Sequence, residues 1–399
     1  MKENEKTMKI LLLGEYSNVH NTLAEAFREE GHQVTVASNG DFWKDYPRDI
    51  DLARTPGKLG GMALMAKVCA LLPRLRGYDV VQLINPMFLE LRAERLFAIY
   101  RYLRRHNARI VLCAMGMDYY WVSECTYRKP LRYSDFNIGD RVRTDEPALR
   151  EQRDWLGTAK ERLNRMIAGD CDAIIAGLYD DYVCYEPHFP HKLHFVPLPI
   201  HSTSSIKHHP SNIPHQTSPI THPTSSIPHQ TSPITLFIGI SRGRSAYKGT
   251  DIMLRAAEDI RRRYPDRVVI EKAEGVPFSQ YQHMMDGSDA ILDQLYSYTP
   301  SMNPLLAMSK GIICIGGGEP ESYYIIGEHQ LRPIINVQPT YDSVYHELEQ
   351  LVLHPERIPV LKQQSIEYVR RHHDYRKVAR QYLDIYRSIP IGEPPCGRS

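Results

Sequence analysis

Long apolar runs are missing from this chain. The longest, such as Ile10-Leu11-Leu12-Leu13, fall far short of the roughly 18 residues a membrane span needs, which excludes a transmembrane helix. An excess of one charge is missing too. The 399 residues carry 49 Lys and Arg against 47 Asp and Glu, a net charge of +2, too balanced for a nucleic-acid coat. There are only seven cysteines, an odd number, and no two stand as C-x-x-C. Cys113 and Cys314 sit inside apolar runs, so the cysteines read as buried reduced thiols rather than as a metal site or a disulfide framework. The opening residues Met1–Lys6 are charged in both signs and show no apolar stretch of about 7–15 residues, so no secretory signal is read and a cytoplasmic location is expected.

One segment has almost none of the residues that build a core. From Thr203 to Thr235 the chain repeats with a period of seven, as TSSIKHH, PSNIPHQ, TSPITHP, TSSIPHQ and a truncated TSPIT. A coiled coil needs two apolar positions per heptad, and these units supply one. Pro210, Pro214, Pro219 and their successors would break any helix. So little apolar surface cannot offset the entropy of ordering, and the segment is expected to be an extended, mobile linker. Limited proteolysis should cut there first and yield two stable halves; early cuts inside either half, with the repeat intact, would overturn this.

The halves share a texture. Lys9–Gly14 reads as a buried parallel strand, Asn21–Gly31 as a helix closed by its glycine, and His32–Ser38 as a second strand. Further strands are expected at Tyr78–Ile84, Ala108–Ala114, Asp172–Ala176 and Leu193–Leu198, with helices at Arg92–His106 and Lys160–Ala168. After the repeat come strands at Thr235–Ile240, Arg267–Glu271, Ala290–Gln294, Gly311–Ile315 and Pro333–Val337, a helix at Gly249–Tyr264, and a helical end from about Ser343 to Ile389. Alternation of this kind marks βαβ units. The expected fold is α/β, with two Rossmann-like parallel-sheet domains facing a cleft. Residues 1–200 form the first domain, 201–235 the repeat linker, and 236–399 the second domain with its C-terminal helices. Ligands of such sheets bind at the carboxyl ends of strands.

Two loops of the second half carry ligand signals. Ser241–Asp251 sets Arg242, Arg244 and Lys248 beside Gly243 and Gly249, just before a helix start, where amide N–H groups and cations favour a phosphate. Gly316-Gly317-Gly318-Glu319-Pro320-Glu321 follows a strand, its glycines allowing close backbone approach and its acids offering acceptors for sugar hydroxyls. Between them the polar loop with Tyr298, Ser301 and Asn303 offers stacking faces and donors for a base or sugar.

The order of elements resembles the two-domain GT-B glycosyltransferases, and among them the retaining family-4-like enzymes (glycosyl transferases group 1) that use nucleotide-sugar donors. Arg244 and Lys248-Gly249 match that family's donor-phosphate pattern, with Arg242 as an alternate, and Ala307-Met308-Ser309-Lys310-Gly311 matches its Ala-Met-x-x-Gly helix end. The family's two glutamates, eight positions apart, would fall on Tyr298 and Leu306, which are not acidic. Glu319 or Glu321 is then the expected substitute, Glu319 first. Met115-Gly116-Met117-Asp118 stands where the family has His-Gly-x-Asp, and Gly116 and Asp118 match. With the opening loop, the resemblance implies acceptor contacts at Gly14, Asn18, His20, Gly116 and Asp118. It implies donor contacts at Arg242, Arg244, Lys248, Gly249, Tyr298, Ser301, Asn303, Gly316–Gly318, Glu319 and Glu321, and catalytic roles for Glu319, Arg244 and Lys248.

The implied activity is that of an enzyme, a hexosyltransferase moving sugar from a nucleotide-diphosphate sugar to a glycan or lipid-linked glycan with retention, as in polysaccharide biosynthesis. A binder without turnover and a nucleotide-sugar epimerase on the same fold are the alternatives. Asp180-Asp181 reads as a helix start rather than a metal clamp, so no metal and no cofactor beyond the substrate is expected. Nucleic acid is not expected as a partner. From Lys58 to Arg105 nine basic residues meet three acids among apolar stretches. This reads either as helices packed on the sheet with solvated basic faces, or as a face for the inner membrane surface.

Overall fold

The computed structural model describes residues 7–201, 232–240, 243 and 245–390; most of the repeat, with Arg242 and Arg244, lies outside them. In chain order the first half contributes β1 (Lys9–Leu13), β2 (Gln33–Ser38), β3 (Ile50–Asp51), β4 (Val80–Leu83), β5 (Ile110–Ala114), a small antiparallel hairpin of β6 (Asn137–Ile138) and β7 (Arg141–Val142), then β8 (Ala173–Ala176) and β9 (Leu193–Phe195). Seven of these form one sheet in the order β3-β2-β1-β4-β5-β8-β9, and its neighbours are all parallel. The second half adds β10 (Ile234–Ile240), β11 (Val268–Glu274), β12 (Ala290–Leu292), β13 (Ile313–Gly316) and β14 (Ile335–Asn336), a parallel sheet in the order β11-β10-β12-β13-β14.

The continuous apolar runs explain the inner strands, because β1, β4, β5 and β8 are covered on both faces. Ile10 and Leu12 face the helix Val19–Glu29 through Leu23 and Phe27; Leu11 and Leu13 face the other side, toward Leu64, Leu96 and Ile99. β1 pairs with β2 on one side and β4 on the other, so the loops after β1 and β4 run apart and open a crevice at the carboxyl edge.

The helical end is three helices, Tyr341–Leu353, Arg357–His372 and Tyr375–Ser388. The last leaves the second half and packs on the first. Tyr375 and Arg376 bond Glu29, Arg380 bonds Glu30, and the Tyr386 hydroxyl donates to Gln82 Oε1 at 2.5 Å. Arg109 of the first half donates to the carbonyl of Ile389 at 2.9 Å. A chain nicked between the halves is therefore expected to elute as one species until denatured.

Candidate functional site

A cavity of about 730 Å³ opens at the carboxyl edge of the first sheet, where the loops after β1, β2 and β4 diverge. Gly14, Glu15 and Tyr16 line it from the first loop, Ile84, Asn85 and Met87–Glu94 from the third, and Trp155 and Lys160 from the helical segment beyond the hairpin. Its size falls within the roughly 300–1,000 Å³ of small-ligand sites. Gly14 holds φ +85°, and a Cβ there would lie 2.4 Å from Ile84 Cγ2, so only glycine lets the first loop turn against the third. Glu15 is 2% exposed and takes the amides of His20 and Asn21 at 3.3 and 2.8 Å. Burial pushes its carboxyl up to about 8 against the pull of those amides.

Of the acceptor candidates, Gly14 lines this cavity and the others do not. His20 is fully buried: its Nδ1 meets Gly14 O at 2.7 Å and its Nε2 meets Gln82 Nε2 at 3.0 Å. With Gln82 donating, the Nδ1 carries the proton toward Gly14, and burial lowers the imidazole to about 4. His20 thus ties the terminal helix, through Tyr386 and Gln82, to the first loop, and it sits in the core rather than on the cavity wall. Asn18 turns at φ 72° into the helix and accepts from Asn21 Nδ2 at 3.0 Å. Gly116 passes the Tyr16 ring. Asp118 is 1% exposed; it caps the helix Tyr119–Ser123 through the Trp121 amide at 2.8 Å and accepts the Tyr185 hydroxyl at 2.6 Å. Both oxygens are engaged, and burial raises the carboxyl to about 6.

On the second sheet, Lys248 ends the short helix Ser245–Lys248 and its carbonyl accepts the Leu295 amide at 2.9 Å. Burial raises the carboxyl of the neighbouring Asp293 to about 6, against the pull of the Lys248 charge. Gly249, at φ 72°, lets the chain turn beside Leu295 into the helix Thr250–Arg263. Ser301 precedes the helix Met302–Ser309 with no capping bond, and Asn303 donates to the Tyr281 hydroxyl at 2.8 Å. Sequence reasoning missed a clamp on this loop. Arg143, beside β7, donates to the carbonyls of Tyr247 and Ala246 at 3.1 Å each and lies 3.8 Å from the Tyr296 ring centre.

The glycine loop serves a different neighbour from the one expected. A Cβ on Gly317 would lie 2.0 Å from the carbonyl oxygen of Ser297, so the close approach is to the protein's own loop. Gly316 accepts the Val337 amide at 3.1 Å, and Gly318 donates to Asn336 Oδ1 at 3.0 Å. Glu319 is 3% exposed and turned to the first half, where it accepts from Arg132 at 2.6 Å and the Tyr133 hydroxyl at 2.5 Å; Gln338 donates to it at 2.6 Å. These donors hold its carboxyl below the usual range despite burial. Glu321 pairs with the same Arg132. Tyr298, too, is spent on the seam: its hydroxyl accepts the Arg132 amide at 2.7 Å and its own amide donates to Asp180 at 2.8 Å. Asp180 does begin a helix, Tyr179–Tyr185, but its carboxylate joins the halves.

Among the described residues, no three His, Cys, Asp or Glu side chains gather to hold a metal. Asp49 pairs with Arg28 at 2.6 Å, Asp51 with Arg48 at 2.7 Å, and Asp172 with Arg104 at 2.6 Å.

No family model matches the chain, and no curated protein matches it in sequence. Its fold does match solved structures. The catalytic domain of starch synthase IV from Arabidopsis thaliana, bound to ADP and acarbose, aligns with a TM-score of 0.56 at 12% identity, over 96% of this chain and 99% of that one. HepE of Anabaena, in complex with UDP-glucose, gives 0.55 at 13% identity, over 96% and 100%. The UDP-GlcNAc 2-epimerase from Neisseria meningitidis, bound to UDP-GlcNAc, gives 0.51 at 12%, over 94% and 99%. At these identities the likeness is one of fold. The chain has the GT-B architecture of two parallel-sheet domains, the fold class expected from its sequence.

Proposed function

We propose that the chain is a glycosyltransferase that moves a hexose from a nucleotide-diphosphate sugar to a glycan or lipid-linked glycan with retention. The observation that supports this is that the two candidate ligand regions lie on different halves. The second half carries the cationic turn at Lys248-Gly249 before a long helix, suited to a diphosphate, while the first half carries its own cavity of about 730 Å³. A transferase needs room for two substrates, and an epimerase for one. In the proposed reaction the bond from the sugar's anomeric carbon to the diphosphate oxygen breaks. The acceptor hydroxyl attacks from the same face, and its proton passes to the departing phosphate oxygen. Lys248, Arg244 and the helix start at Thr250 stabilise the charge that develops on the leaving group. This route requires no protein base and no metal, in keeping with a cytoplasmic enzyme working in polysaccharide synthesis. The fold match to UDP-sugar complexes supports a nucleotide-sugar as donor.

The experiment is a thermal-shift panel of nucleotide-sugars, with each hit then assayed for transfer and for the anomeric configuration of the product. Transfer with retention supports the reading. Epimerisation without acceptor, or binding without turnover, overturns it. Lys248→Ala should lose about 1.5–3 kcal/mol of donor binding, the worth of a charge-assisted contact, and so tenfold or more in affinity. Arg244→Ala should behave alike, with the melting temperature unchanged. Unaltered diphosphate binding in both variants would place the donor elsewhere.

A further inference from the structure

In the second sheet β10 has β11 on one side and β12 on the other, so the loops after β10 and β12 run apart at the carboxyl edge. Lys248 comes from the first of these loops, and Asp293 opens the second. Phe237, Ile291 and Cys314 stand side by side in register on β10, β12 and β13. They share one face of the sheet with Met285 and Met308, from the helices Phe278–Asp286 and Met302–Ser309. Two residues further on, the same row and face hold Gly239, Asp293 and Gly316. The central strand thus ends on an acid set between two glycines.

Each glycine leaves room for something. A Cβ on Gly316 would lie 3.5 Å from that of Asp293, so a larger side chain there would pack against the acid. A Cβ on Gly239 would lie 2.6 Å from the Tyr281 hydroxyl oxygen, so the glycine admits that hydroxyl to the sheet edge. Asn303 donates to the same hydroxyl at 2.8 Å. Asp293 is partly exposed, and among the described residues no donor or ion-pair partner engages its carboxylate. Glu319 and Glu321, the acids expected at the donor, are taken by Arg132. A bare carboxylate beside a turn suited to a diphosphate weakens that site by like charge, unless another part of the ligand bonds it.

We propose that Asp293 accepts a hydrogen bond from a hydroxyl of the donor's sugar and so helps to select which hexose is taken. An ionised carboxylate only accepts, and a sugar hydroxyl can donate to it. A site built around such a bond rejects sugars that lack the hydroxyl, because the acid is then left unpaired. The assignment rests on the donor reading of the Lys248 turn; it does not rest on transfer.

The test is calorimetric titration of the full chain with UDP, GDP, UDP-glucose, UDP-GlcNAc and GDP-mannose. Asp293→Ala should bind the preferred nucleotide-sugar about tenfold or more weakly, and the matching free diphosphate at or above wild-type affinity. Asp293→Asn should keep part of the sugar-dependent affinity, because its amide oxygen still accepts. Asp293 has no hydrogen bond to lose among the described residues, so melting temperatures should hold. Among the monodeoxy forms of the preferred sugar, one should lose about tenfold with the wild type and nothing further with Asp293→Ala. Equal losses for the nucleotide-sugar and the free diphosphate would make Asp293 a support of the cationic turn and overturn the proposal. So would unchanged affinities in both variants. If the wild type binds none of these nucleotide-sugars, this inference and the donor reading fall together. Sugar binding that depends on Asp293, without transfer to any acceptor, leaves this inference standing and removes the transferase reading.

Discussion

Glu15→Gln is expected to be more stable, relative to wild type, at alkaline pH than at acid pH. The difference between the two should reach on the order of 4 kcal/mol, at about 1.4 kcal/mol per pKa unit. The carboxyl is buried at the cavity wall and pushed up to about 8 from an ordinary 4.5. Between those values the folded state holds a proton that the unfolded chain has released, so Glu15's contribution to stability falls as pH rises from 4.5 to 8 and then levels. Glutamine keeps the shape and does not titrate; its NH2 cannot accept one of the two amides Glu15 takes, a cost that is the same at every pH and drops out of the comparison between pH values. His20 works with the opposite sign: lowered to about 4 from 6.5, it removes stability as pH falls through that window. Both proteins carry His20, so its effect cancels in their difference. Urea unfolding of wild type and variant from pH 4.5 to 8.5 measures this, and parallel stability curves would refute it. A neutral carboxyl at a cavity wall costs stability, and such costs concentrate at functional sites.

Much of the scaffold was legible because burial writes itself into the sequence as runs and periods. Lys9–Gly14 could only be a strand covered on both faces, and each later run read as a strand landed within a few residues of a strand in the structure. The helix Gly57–Leu71 was legible only as an apolar stretch among basic residues, without bounds, because apolar residues on all sides leave no period to read. The site was legible as loops and illegible as side chains. Motif spacing located the loops holding His20 and Asp118, but whether a side chain faces the cavity or the core depends on the turn that precedes it. Asn18 at positive φ turns to Asn21 on its own helix, and Asp118 at a helix cap turns inward. The seam was out of reach for another reason. Arg132, Tyr133 and Arg143 act on residues more than a hundred positions away, across the repeat, and no local pattern records that distance. The one available signal was the density of Arg and Lys between Arg128 and Arg143, with no helical or strand period to explain it.

Glu319→Ala should cost about 3 kcal/mol, because it strands the buried Tyr133 hydroxyl and removes three hydrogen bonds between or beside the halves. Arg132→Ala should cost much less, about 1 kcal/mol, since its guanidinium is half exposed. Chemical unfolding of both variants measures the asymmetry, and equal costs would show that the ion pair, not the buried acid, holds the seam. The same two residues decide whether Glu319 acts on the donor. A donor hydroxyl can reach this carboxylate only if Arg132 gives it up. Arg132→Ala should then raise donor affinity, and Glu319→Gln should lower turnover more than it lowers affinity, because a contact made in the transition state is read in rate. If Arg132→Ala leaves donor affinity unchanged and Glu319→Gln transfers at the wild-type rate, Glu319 belongs to the seam alone. The leaving group would then be stabilised only by the turn at Lys248, which Arg143 holds in place from the first half through the carbonyls of Ala246 and Tyr247.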